Sequence, residues 1–169
     1  MNASALIDRL ERFAGVLPAV VSAVTDADAR WKPAAEHWSI LEVCRHLLDE
    51  EREDFRVRVE STLRDPAAKW KPLELEGIAE RRKYNEADLK ETAAAWVEER
   101  RKSVAWLRSL GKPDWSAAYQ HPRGPICAGD LLASWAAHDA LHLRQIAKRL
   151  HELAGRDGGE FKTAYAGAW

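Results

Sequence analysis

His138 and His142 are the two residues whose type and spacing most directly suggest chemistry. Four positions apart on a helix, their imidazoles project from one side, one turn apart, and such a pair can chelate a single metal ion with Zn–N distances of about 2.0–2.1 Å. At about 100° per residue they flank the apolar stripe of their helix, where a ligand reaches both an ion and water. Taken alone, the spacing reads more plainly as one core histidine and one solvated one. A third ligand must come from another helix, and His46 is the candidate. Its position groups it with Ser39, Glu42, Glu50 and Glu53, roughly opposite the main apolar face, so the pattern by itself makes it part of a solvated stripe. His37, His121 and His151 fall in a loop, a turn and near a helix end, and read as structural or solvated. Cys44 falls on an apolar face and reads as a small buried hydrophobe.

These side chains need elements to hold them, and four helical segments can be marked by their ends. The first spans about Ser4 to Val24, with Leu6, Leu10, Phe13, Leu17, Val20, Val21 and Val24 at intervals of three and four, and a kink predicted at Pro18. Trp31, Lys32 and Pro33 lie in the loop that follows. The second opens on a Ser39/Glu42 capping box, carries Ile40, Cys44, Leu47, Leu48, Phe55 and Val59, and ends near Asp65-Pro66. The third is predicted from an N-cap at Asn85, with Asp88 in its first turn, to a stop at Gly111 and Pro113. The fourth starts between Cys127 and Asp130, after the turn-rich His121-Pro122-Arg123-Gly124-Pro125, and runs to Gly155. No segment alternates like a half-buried strand.

The expected fold is therefore all-α: a four-helix bundle, up-down-down-up, with a long crossover between helices 2 and 3. The roughly 20 residues from Asp65 to Tyr84 can reach about 60 Å when extended. A 25-residue helix spans only about 37 Å, so this link can cross the bundle and leave the second and third helices parallel. Residues 1–169 are taken as one domain, with a tail (155–169) carrying Phe161, Tyr165 and Trp169 that docks on the bundle or a partner subunit or stays partly flexible. Trp96, Trp106 and Trp135 are expected in the core and Trp38 as a packing anchor. Trp31, Trp70 and Trp115 are expected to pack from loops.

Composition narrows the function. Lys and Arg number 26 against 27 Asp and Glu, a net charge of −1, which leaves no positive field for nucleic acid. The most apolar run, Phe13 to Val24, is broken by Pro18 and Ser22 and falls short of the roughly 20 apolar residues of a membrane span. Two distant cysteines point to a reducing, cytoplasmic setting.

Two motifs are similar to those of a known family. Trp38-Ser39-Ile40-Leu41-Glu42-Val43-Cys44-Arg45-His46-Leu47 resembles the W-S-I-x-E-x-x-x-H-L segment of the DinB-like (YfiT-like) superfamily. His138-Asp139-Ala140-Leu141-His142-Leu143-Arg144-Gln145-Ile146 resembles its closing H-D-x-x-H-x-x-Q-I. The resemblance runs in order along nearly the whole chain. It implies a divalent metal, nickel or zinc, held by His46, His138 and His142, and so overturns the solvated reading of His46. It also implies a homodimer and a small-molecule substrate. Two activities follow: a transferase in which the metal activates a low-molecular-weight thiol, which the resemblance favours, or a hydrolase in which it activates water. A non-catalytic metal-binding bundle, acting in stress response or protein interaction, is the alternative. Beyond the ligands, Glu50 is expected to support His46, and Gln145 to orient His142 or touch substrate. Asp139 points some 100° from His138, toward a salt bridge or solvent. Cys127 stands where the family has Thr or Ser, a weaker cap.

Overall fold

The computed structural model describes residues 1–167. Its helices are α1 (Ala3–Phe13), α2 (Val16–Ser22), α3 (Asp26–Arg30), α4 (Ile40–Glu53), α5 (Phe55–Arg64), α6 (Ile78–Arg81), α7 (Leu89–Ser109) and α8 (Ala128–Gly158). The predicted all-α bundle is present. Ser39 faces Asn85 across a 2.7 Å hydrogen bond and Arg56 pairs with Glu99 further along, so α4–α5 and α7 run parallel. Arg108 pairs with Asp8 and Glu11, while Phe13 meets Trp96, so α1 runs against α7. His46 lies beside His142 and Glu51 beside Trp135, so α8 runs against α4. The order is up-down-down-up.

Several local predictions need correction. The first segment does not kink at Pro18; it breaks at Ala14–Gly15, and Pro18 occupies the first turn of α2, where its missing N–H costs nothing. The second segment breaks at Asp54 into α4 and α5. The third starts later than predicted. Asp88, not Asn85, is its N-cap, with its Oδ1 accepting from the Glu91 N–H at 2.8 Å. Asn85 sits in a 3-10 turn (Tyr84–Glu86), where its side chain accepts from the Ser39 hydroxyl and donates to the Arg30 carbonyl. The crossover thus extends to Asp88 and contains α6. Gly111, at φ +66°, ends α7 as predicted.

A two-stranded antiparallel hairpin, β1 (Ala118–His121) and β2 (Gly124–Cys127), was not expected. Strands of four residues are too short for alternation to register, and Gly124, at φ +116°, closes the two-residue loop Pro122-Arg123. Trp70 of the crossover stacks on Tyr119 of β1, with centroids 4.0 Å apart and planes 17° from parallel, and Arg58 covers the Trp70 ring at 4.7 Å. Cys127 caps α8 in an unexpected way: its backbone N–H donates to Asp130 Oδ2 at 2.9 Å. Phe161 and Tyr165 are exposed, and Trp169 lies outside the described residues. Trp106 is half-buried rather than core. No described helix is long and apolar enough to cross a membrane.

The core has two apolar clusters. One gathers Leu17, Ile40, Cys44, Leu48, Trp96 and Ile146; the other gathers Leu10, Val59, Leu107, Leu132 and Trp135. Between them, at the same level of every long helix, lies a polar layer. Arg100, 1% exposed, donates to both Asp139 oxygens at 2.6 and 2.8 Å, to Glu51 Oε2 at 3.0 Å and to the Leu10 carbonyl at 3.3 Å. Trp135 Nε1 donates to the same Glu51 oxygen at 3.0 Å, and Arg100 lies over the Trp96 ring at 4.7 Å. Burial opposes the charge on Arg100, yet its bonds to Asp139 and the field of Glu51 outweigh burial and raise its pKa.

The capping box that starts α4 is complete: Ser39 Oγ accepts from the Glu42 N–H at 3.0 Å, and Glu42 Oε2 accepts from the Ser39 N–H at 2.8 Å. Ser39→Ala removes this cap together with the bond to Asn85. It is expected to lower stability by about 1–2 kcal/mol, read as a shifted urea midpoint at unchanged m-value.

Candidate metal centre

α4 and α8 lie side by side with their histidines facing. His46, His138 and His142 each offer a ring nitrogen, and these atoms all lie within 4.8 Å of one another, the one such His, Cys or carboxylate group among the described residues. His138 Nε2 and His142 Nε2 stand 3.0 Å apart. The ring of His46 is 4.7 Å from that of His142 and 5.6 Å from that of His138. His46 is buried, 7% exposed, contrary to the solvated stripe its helical position suggested. Ser39, Glu42 and Glu50 of that stripe are buried with it, while Glu53 stays exposed and pairs with Arg82 of the crossover. His138 and His142 are half-buried.

Packing fixes the rings. Trp38 covers His46 at 4.9 Å, and Phe55 meets His138 edge-on at 5.0 Å. His142 Nδ1 lies 3.0 Å from Gln145 Oε1. The amide oxygen holds the proton on Nδ1 and leaves the Nε2 lone pair directed at His138. His46 Nδ1 is buried without a hydrogen-bond partner; Glu50 Oε1 is 3.9 Å away, too far to accept one. A buried orphan of this kind costs about 1–3 kcal/mol unless something binds it.

Electrostatics keep the imidazoles neutral. Burial, then the neighbouring His142 and His138, push His46 down to about 3. Burial, then His142 and Arg100, push His138 to about 4. Burial lowers His142, partly offset by Gln145. Neutral imidazole is the form that ligates metal. In a tetrahedral site with 2.0–2.1 Å bonds, ligand nitrogens lie about 3.3 Å apart. The observed 3.0 to 4.8 Å bracket that value, so the residues present fit a divalent ion after small ring rotations.

Acidic groups lead away from the cluster along α4 and α5. Burial, then the Asp54 carboxyl beside it, push Glu50 up to about 8. Glu50 and Asp54 also line a cavity of about 600 Å³ under the crossover, closed by Leu73, Ile78 and Arg82. Asp49 braces the crossover, accepting from the Tyr84 hydroxyl at 2.6 Å and pairing with Arg82. Asp139 turns from the cluster into its salt bridge with Arg100. Sequence reasoning passed over Arg100 and Glu51, although both carried a signal: Arg100 lies in phase with Trp96 and Val104, and Glu51 with Leu47 and Phe55, where a charge must find partners in the core. Cys44 is buried and its thiol is pushed up to about 12 by burial, so it takes no part as a nucleophile.

Residues 9–146 match the DinB superfamily. The chain belongs to that superfamily. Among solved structures, it is similar to YfiT from Bacillus subtilis, with a TM-score of 0.79 and 20% identity over 90% of this chain and 87% of that one. At this identity the likeness shows the shared fold. YfiT itself is described as a probable metal-dependent hydrolase with an unusual four-helix bundle topology. No match is found among curated proteins.

The titrating groups of the DinB site act on stability in opposite directions. Glu50, at about 8 against 4.5 for the free side chain, contributes stability that is full below pH 4.5 and lost as pH rises through 8. His46 and His138, at about 3 and 4 against 6.5, contribute stability that is full above pH 6.5 and lost as pH falls toward 4 and 3. Their sum in the metal-free protein is greatest near pH 6.5, with limbs falling about 1.4 kcal/mol per pH unit for each net proton. Urea unfolding across pH 4–9 is expected to show this maximum, and Glu50→Gln is expected to flatten the limb between pH 6.5 and 8.

Proposed function

We propose that this chain is a divalent-metal-dependent enzyme acting on a small-molecule substrate, with His46, His138 and His142 as the ligands. The observation that carries this is the convergence of three buried or half-buried neutral imidazoles from two helices, one with an orphaned ring nitrogen. Imidazole sets of this kind suit zinc and nickel, and three protein ligands leave a position for a reacting molecule. An ion held there would polarise a bound water or thiol toward its nucleophilic form.

The surroundings favour water over a thiol. Glu50 stands beside His46 and lines the cavity, and burial holds its carboxyl protonated, so it is placed to give a proton to the leaving alcohol or amine of a substrate cut by water. The cavity adjoins the histidines through Glu50, none of the three rings lining it; it has the size of a small-molecule site, and its mixed lining of Ile78 and Leu73 with charged groups suits an amphipathic substrate. Gln145 holds the tautomer of His142, and Trp38 and Phe55 hold the other two rings. Hydrolysis of an ester or amide is therefore the leading activity, in line with the description of YfiT. Transfer of a low-molecular-weight thiol at the same ligands is the second, resting on the family resemblance. The same reading takes residues 1–169 as one domain.

Protein purified without chelator is expected to carry about one divalent ion per chain by elemental analysis, and His142→Ala to lose it. Unchanged metal content in that variant refutes the ligand set. Gln145→Ala is expected to weaken the ion about 10- to 100-fold. The loaded protein is expected to cleave members of an ester and amide panel and to stop when chelator is added. Conjugation of a chlorinated aromatic electrophile to a cellular thiol, with no hydrolysis, would select the transferase instead.

A further inference from the structure

Apolar contacts are non-directional, so the two core clusters alone tolerate small slides of one helix along another. A guanidinium fork does not, because its two parallel bonds demand one placement of the facing carboxylate. Arg100 of α7 grips Asp139, the residue that directly follows His138 on α8, and Glu51, on the turn of α4 that follows His46. Trp135 of α8 adds a direct tie to the same Glu51 oxygen. A slip of one residue moves a helix by 1.5 Å, whereas ligand distances tolerate about 0.2 Å. We propose that the Glu51–Arg100–Asp139 bridge sets the register of α4 against α8 and so holds His46, His138 and His142 at ligating distance, which makes Arg100 a positioning residue of the centre. Its bearing on metal rests on the ligand reading above; its bearing on ring convergence does not.

Arg100→Lys keeps the charge but loses the fork, and Asp139→Asn keeps the shape but loses the charge. Leu107→Ala, a cavity in the same bundle away from the bridge, is the control for lost stability. Two readouts are taken at a temperature where circular dichroism shows every variant folded. One is the ring-to-ring nuclear Overhauser effect between His46 and His142 in metal-free protein. The other is the affinity and visible spectrum of Co²⁺. Both bridge variants are expected to weaken the ring contact, bind Co²⁺ at least about tenfold more weakly and shift its spectrum, while Leu107→Ala changes neither. Wild-type ring contact and affinity in both bridge variants, or equal losses in Leu107→Ala, overturn the proposal. If wild-type protein binds no Co²⁺, the metal reading falls and the ring contact alone decides the register. Should a bridge variant not fold, Glu51→Gln, which keeps an acceptor for Trp135, is judged by the same measurements.

Discussion

A guanidinium removed from water has to be surrounded by acceptors, because isolated burial of a charge costs far more than a domain's net stability. Arg100 meets that requirement with groups from three other helices: the Leu10 carbonyl, Glu51 and Asp139. The layer interrupts the apolar stripes of α4, α7 and α8, α1 joining it through a backbone carbonyl, and lies between the two clusters of the core. The histidine cluster lies within a turn or so of it, on the side where α4 meets α8.

The centre combines economies of place. One turn of α8 supplies two imidazoles, and the partner helix supplies the third under the cover of Trp38. Burial lowers all three pKa values and, with the Arg100 charge adding to the effect at His138, keeps the rings neutral. The orphaned Nδ1 of His46 is the residual cost of that arrangement. On the crossover side, burial raises the Glu50 carboxyl while it lowers the imidazoles, so neighbouring groups of opposite type stay neutral for the same physical reason. Titratable pairs pushed toward neutrality beside a cavity are a common mark of functional sites.

Much of this was legible in the linear chain. The capping box at Ser39, the stop at Gly111, the parallel middle helices implied by a long crossover and the i, i+4 histidine pair all follow from local spacing. The helix breaks at Gly15 and Asp54, the short hairpin and the late start of α7 did not: four-residue strands are too short for alternation to register, and the start of α7 depends on which side chains claim its capping residues. Asn85 shows the difference: it is a good N-cap by type, but Ser39 and Arg30 claim its side chain.

Local sequence determined where helices could form, which faces were apolar and that two imidazoles share one side of the last helix. Those properties depend on residues within a turn or two of each other, through backbone bonding and side-chain periodicity. Only the tertiary structure decided that His46 faces inward, that Arg100 and Glu51 share a buried bridge and that Glu50 borders a cavity. Helical position gives a direction around an axis; what occupies that direction, water or another helix, is set by the packing of distant segments.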